Sequence, residues 1–364
     1  MPVDWEFAKN AIALGGAGIG EKDAERQMQT ARAIVEALRD QPGIVLADEV
    51  GMGKTYVTLG VVASVLLSTP RSSDPVIVMV PPGLRKKWQR EWHQFVAKCT
   101  TSESLAWMRG RDRYAKSPTD FFKMIDGPLK ERPRLIWLTT SCFAQGLGDG
   151  WLKLAFVRLA RRHTRMDDEA KQRLYKWATT LTQLRSRRGL SAAVIEHLMA
   201  TDLGSWKTVL VGYGLLDDKA EDPIPKHLTD HADDLRWKEL IGVLRNDLPG
   251  RRGKVSEGRK VEARVAFNDA CQNVYWEWLG LAKWKASLLV LDEAHHAKND
   301  NTRLASLFRS PEVKALMEKS GERAPLLRNK ADRMLFLTAT PFQLGHHELI
   351  RVLRSFSAVR WTGD

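Results

Sequence analysis

The chain has 364 residues with a formal charge of +13, and 43% of its residues are hydrophobic. Those proportions describe a soluble globular protein with room for two or three structural units. They exclude a membrane-spanning or disulfide-framework protein. The longest apolar stretch, Val57–Leu67, is too short to cross a bilayer, and Cys99, Cys142 and Cys271 lie far apart without C-x-x-C spacing.

The opening "MPVDWEF" has neither the basic nor the apolar segment of a signal peptide, so a cytoplasmic protein with no membrane partner is expected. The charge surplus suits a polyanionic partner, since neutralising phosphates releases counterions. Well-solvated lysines and arginines account for it equally well.

In chain order, five short apolar runs read as buried strands: Gly43–Ala47, Val76–Val80, Leu135–Thr139, Leu288–Leu291 and Met334–Thr338. They lack polar alternation, as strands of a parallel sheet covered on both faces should. After the first comes the helical pattern "KTYVTLGVVASVLLS". After the second comes "GLRKKWQREWHQFVAK", with Leu84, Trp88, Trp92 and Phe95 on roughly one face. Alternation of strand and helix predicts an α/β fold, a mostly parallel sheet flanked by helices.

Between 151 and 284 that rhythm stops. The long basic stretch from Trp151 reads as helices, "SAAVIEHLMA" as a further helix capped by Ser191, and "DDKAEDPIPKHLTDHADD" and "NDLPGRRGKVSEGRK" as loops. The expected organisation is a first part of the lobe over 1–150, a helical insertion over 151–284 and the rest of the lobe over 285–364. Six tryptophans of the insertion (Trp151, Trp177, Trp206, Trp237, Trp276, Trp278) are expected to pack between helices rather than stack on bases.

Chemistry enters at "LADEVGMGKTYVTLG", which ends as a phosphate-binding loop ends but carries Asp48 where the pattern G-x-x-x-x-G-K-[ST] has its first glycine. A loop between a buried strand and a helix turns backbone N–H groups toward a phosphate chain, aided by the helix dipole. Gly51 and Gly53 allow close approach, Lys54 would reach the β- and γ-phosphates, and Thr55 would ligate Mg²⁺. The second motif, "SLLVLDEAHHAKN", puts Asp292 and Glu293 at the end of a buried strand. Asp292 would hold the Mg²⁺ shell and Glu293 would orient and deprotonate the attacking water. An Asp292 that merely caps a helix is the plainer alternative, but it leaves the co-occurrence with a glycine loop unexplained. His295-His296 and His346-His347-Glu348 lack the H-E-x-x-H spacing of a zinc site.

Taken together, "ADEVGMGKT", "LDEAHHAKN" and "LTATPFQLGHHEL" resemble motifs I, II and III of superfamily-two helicases, closest to Swi/Snf-type ATPases and their bacterial RapA-like members. The resemblance implies a RecA-like P-loop NTPase lobe binding ATP and Mg²⁺. In that family motif I begins Asp-Glu, which places Asp48 and Glu49. It implies that Gln29, or failing it Gln27, reads adenine. It also implies that His295, Thr338 and Thr340 couple nucleotide state to a nucleic-acid track. "VMVPPGLRKKWQREW" and "LIWLTTSCF" are similar to motifs Ia and Ic, which in relatives follow one nucleic-acid strand.

Arg85, Lys86 and Lys87 also follow a predicted strand end, where open α/β sheets bind ligands. Backbone amides and basic side chains there suit phosphates without reading sequence. Thr139, Thr140 and Ser141 offer hydroxyls nearby in the same role. Solvated helix positions are the alternative for the basic trio.

Relatives carry a second RecA-like lobe with arginine fingers, and no second strand–helix series follows motif III here. The chain therefore reads as one lobe of a motor, its second lobe expected further along the same protein or on another chain. Since such a finger contributes roughly 10³–10⁵ in rate, one lobe alone is expected to turn over ATP weakly or not at all. The expected function is ATP-driven translocation on double-stranded DNA, of the kind relatives use in bacterial transcription or anti-phage defence. A strand-separating DNA or RNA helicase or restriction-type motor subunit, and an ATP-gated scaffold without turnover, are the alternatives.

Overall fold

A computed structural model describes residues 3–48, 51–182, 184, 190–250, 255–294 and 329–338. Its chain forms two compact units: residues 1–144 with 283–364, and residues 145–282 inserted in sequence between them.

The first unit is built on a six-stranded sheet: β1 (Gly43–Ala47), β2 (Val76–Val80), β3 (Asp112–Tyr114), β4 (Leu135–Thr139), β5 (Ala286–Leu291) and β6 (Ala331–Thr338). The spatial order is β1-β6-β5-β2-β4-β3, with each neighbouring pair parallel. Every residue of β2, β4 and β5 is buried, which is why these strands read as unbroken apolar runs. The five expected strands are all present. The sixth, β3, is a three-residue "DRY" edge with no apolar run to announce it. Pairing with β4 places it there, and the Trp137 indole N–H donates to the Asp112 carboxylate at 3.1 Å.

Helix α1 (Glu21–Leu38) turns Ala24, Gln27, Ala31, Ile34, Val35 and Leu38 inward, and α2 (Lys54–Ser68) is buried along nearly its whole length after the first turn. In α3 (Arg85–Lys98), Trp88, Trp92, Phe95 and Val96 form the core stripe. Short helices α4 (Ser102–Met108) and α5 (Pro118–Ile125, capped by the Ser117 hydroxyl) complete the unit.

The second unit is helical: α6 (Gly150–Ala160), α7 (Asp168–Thr182), α8 (Ala192–Ala200), α9 (Trp206–Gly212), α10 (Lys238–Gly242) and α11 (Glu257–Leu281). Ser191 caps α8 by accepting from the Val194 amide. Trp206, Trp237 and Trp278 are buried, and each indole N–H donates to a backbone carbonyl within the unit, so these three pack between helices as expected. The "DDKAEDPIPKHLTDHADD" stretch differs from the loop expected of it. Lys226–Asp234 winds into 3-10 turns because Leu228 and Ala232 are drawn into the core. No helix among the described residues is long and apolar enough to cross a membrane.

Candidate nucleotide site

The C-terminal ends of β1, β6, β5, β2 and β4 lie along one edge of the parallel sheet, and most of the residues singled out in the sequence sit at that edge. Ala47 of β1 pairs in register with Thr338 of β6, and Val80 of β2 with Thr139 of β4. This is the edge at which open α/β sheets bind ligands, because the loops into the following helices converge there.

From β1 the chain passes through Asp48 and turns at Gly51 and Gly53, whose φ angles are 91° and 88°. Both values lie in the left-handed region that favours glycine. Gly53 then serves as the N-cap of α2, so the first helical residue is Lys54. The Gln27 side chain lies close against it: a Cβ at Gly53 would stand 2.1 Å from Nε2 of Gln27 and would push that side chain aside. Gln27 is buried on the inner face of α1, and its Oε1 has no hydrogen-bond partner among the described residues.

Of the two glutamines, the structure brings Gln27, not Gln29, against the loop. Gln29 is exposed and donates to Glu25 at 3.3 Å. Two residues along a helix is a turn of about 200°, so when one glutamine faces the loop the other must face away.

Arg26 holds the loop to α1. Its guanidinium donates to the Met52 carbonyl at 3.1 Å and stands 3.9 Å from the Asp48 carboxylate. Sequence patterning gave no signal for this residue, since a lone arginine on an exposed helical turn looks like a solvated one. The Lys54 ammonium crosses the loop to donate to the Asp48 backbone carbonyl.

Asp292 follows β5 directly, its amide donating to the Met79 carbonyl of β2 at 2.9 Å. One carboxylate oxygen accepts from the Trp88 indole N–H at 2.8 Å and the other from the Glu293 amide at 3.0 Å. Burial pushes this carboxyl above the usual range. The Trp88 N–H works against that, the Glu293 charge adds to it, and the Glu293 amide and Lys54 ammonium again oppose it. Lys54 and Asp292 are thus within electrostatic reach of each other, although 238 positions apart in sequence. Glu293 adopts φ 55°, a left-handed conformation rare for a residue with a side chain. The role of Trp88 was hidden in its helical stripe, where it looks like any core aromatic.

The donor set fits a magnesium nucleotide. Thr55 and Asp292 offer hard oxygen ligands of the kind Mg²⁺ takes, the glycine turn provides a Cβ-free cradle, and the orphaned Gln27 amide oxygen is a ready acceptor.

Elsewhere on the edge, Thr139 is buried with its hydroxyl 3.2 Å from that of Ser141, and the Thr140 amide donates to Val80. Arg85 lies over the Tyr114 ring at 4.2 Å and donates to Gln89, and Lys87 pairs with Glu91 at 3.8 Å. Lys86 is exposed. Thr338 is buried at the end of β6. Glu49, His295 and Thr340 lie outside the described residues.

Residues 26–125 match the family model of the SNF2-related domain, a span that holds the glycine loop and α3. Among solved structures, the chain is similar to the Sulfolobus solfataricus SWI2/SNF2 ATPase core in complex with dsDNA, at 12% identity and a TM-score of 0.36. That alignment covers 98% of this chain and 37% of the other. No curated protein matches the chain.

Proposed function

We propose that the chain is the first ATPase lobe of a Swi/Snf-type, ATP-dependent motor acting on double-stranded DNA. The observation that carries this reading is the placement of Lys54, after β1, and Asp292, after β5, at the same edge of one parallel sheet, with the glycine loop inside the SNF2-related match. Gly51 and Gly53 let backbone amides approach the phosphates. Lys54 moves from the Asp48 carbonyl to the β- and γ-phosphates, giving up one neutral acceptor for a charged one. Gln27, whose side chain lies against Gly53, would contact the nucleotide from α1 in place of Gln29. Bound Mg²⁺ would neutralise phosphate charge as it develops, held by Thr55 and Asp292. Glu293 orients the attacking water and takes its proton. The basic residues that open α3 after β2, and the hydroxyls at the end of β4, would hold DNA phosphates without reading bases. His295, Thr338 and Thr340 would couple the two sites.

The test separates binding from turnover. Purified protein should bind a fluorescent ATP analogue with Mg²⁺, and Lys54→Ala should weaken that binding at least about tenfold, the loss of a charge-assisted phosphate contact. With a second RecA-like lobe supplied, phosphate release should rise on addition of duplex DNA and vanish in Lys54→Ala. A wild-type protein that binds no nucleotide in the first assay would sink the proposal outright.

A further inference from the structure

The inserted unit holds a cavity of about 530 Å³ whose chemistry is one-sided. His163, Thr164, Arg165, Lys238 and Arg245 line it together with Leu235, Trp237 and Ile241, and no carboxylate is among these lining residues. Arg165, Lys238 and Arg245 are exposed, whereas Trp237 is buried, with its ring stacked on His163 at 6.1 Å and 19°. The residues come from two parts of the sequence, 163–165 and 235–245. Backbone acceptors tie them together and to α7: Arg245 donates to the Arg165 carbonyl at 3.0 Å, and Arg173 of α7 to the Arg245 carbonyl at 3.3 Å.

Four carboxylates close to these residues in sequence have other partners. Asp167 accepts from the Ala170 amide, Asp168 pairs with Lys171, Asp234 with His231, and Glu239 accepts from Asn273. The segment 151–182, which supplies His163, Thr164 and Arg165, carries eight lysines and arginines against three acidic residues. A concave surface of hydrogen-bond donors with three fixed positive charges and no acidic lining has one natural ligand, a phosphate oxyanion.

We propose that this cavity is a phosphate-binding site for the backbone of a nucleic acid, a second contact on the inserted unit. It is separate from the nucleotide site and does not require ATP. Arg165 and Arg245 present guanidinium forks to the phosphate oxygens, Lys238 adds a point charge, and the Thr164 hydroxyl donates from the wall. All these groups address phosphate and none is set to read a base, so the contact is sequence-independent. It would anchor the inserted unit to the polymer through every nucleotide state.

The test is a nucleotide-free titration of the full chain with fluorescent 30-base-pair duplex DNA across a salt series, comparing wild type and the double variant Arg165→Glu/Lys238→Glu. Both substituted side chains are exposed, so the melting temperature should be unchanged, and circular dichroism checks that. Expected is an affinity loss of roughly tenfold or more, with the slope of log K against log salt shallower by about two, the signature of two lost phosphate contacts. The titration contains no ATP, so a failed nucleotide site does not disturb this readout. A folded double variant with wild-type affinity and salt slope overturns the proposal. A parallel titration with tripolyphosphate separates the sources: loss of tripolyphosphate binding with DNA affinity untouched would assign the cavity to a small free anion and overturn the nucleic-acid reading.

Discussion

Trp88 holds Asp292 through a single indole N–H at 2.8 Å, reaching across 204 positions in sequence. Such a bond sets the direction of a carboxylate as well as opposing its desolvation. Trp88→Phe keeps most of the ring's packing and deletes the donor. We expect DNA-stimulated ATP turnover, measured with the second lobe present, to fall by roughly tenfold, the equivalent of one lost hydrogen bond to a charged group. Melting should stay within a few degrees, because the ring still fills its place among Trp92 and Trp137. Unchanged turnover in Trp88→Phe would mean that the Glu293 amide alone suffices to orient Asp292. At this same scale Gln27 and Gln29 show how a shift of two residues on a helix decides which side chain meets the loop.

Between elements, Arg333 is the clearest join. It is buried in β6, and its guanidinium donates to the Leu38 and Arg39 carbonyls at the C-terminal end of α1, as well as to Asp332. The last carbonyls of a helix lack partners within it, and a cation there also favours the helix dipole. The strand next to β1 therefore caps the helix that precedes β1. Arg333→Met fills similar volume but leaves the Leu38 carbonyl without its charged donor, at a cost of about 1–3 kcal/mol, while the Arg39 carbonyl keeps only the Val3 amide at 3.2 Å. We expect a net loss on the order of 2–4 kcal/mol in urea unfolding, with the m-value retained. A loss below about 1 kcal/mol would show that water takes over the carbonyls.

At the scale of the whole molecule, each unit contains a buried thiol that reports on it. Cys142 belongs to the first unit and Cys271 to the second. Burial pushes the Cys142 thiol up to about 12 and Cys271 further still. Because only the thiolate reacts, an aromatic disulfide reagent at pH 8 should label neither at an appreciable rate in the native protein. Denaturant should expose both, and peptide mapping of the labelled sites gives the unfolding of each unit separately.

The same shifts fix a sign. In the folded state each thiol keeps its proton to higher pH than in the unfolded chain, where it ionises near 9.0. Between those values the folded state binds more protons, so stability is fully present below about pH 9 and falls as pH rises toward 12. Rapid labelling of Cys142 or Cys271 at pH 8 without denaturant would contradict the burial that underlies both statements.

The sequence by itself determined the parallel sheet and the place of the glycine loop on it. Apolar runs such as Val76–Val80 have no polar face to hide, and a loop like Gly51–Gly53 has few other uses between a strand and a helix. It also determined the helical character of the insertion, since its periodicity is local. Tertiary structure decided what depends on distant partners. The edge strand Asp112–Tyr114 exists because β4 offers it a ladder and Trp137 a hydrogen bond. Gln27 faces the glycine loop because α1 packs with that phase. Trp88 meets Asp292, and Arg165 shares a cavity with Lys238 and Arg245, only once the chain has closed loops of more than seventy residues. Periodicity records which way a side chain points, whereas the identity of its neighbour is a property of the fold.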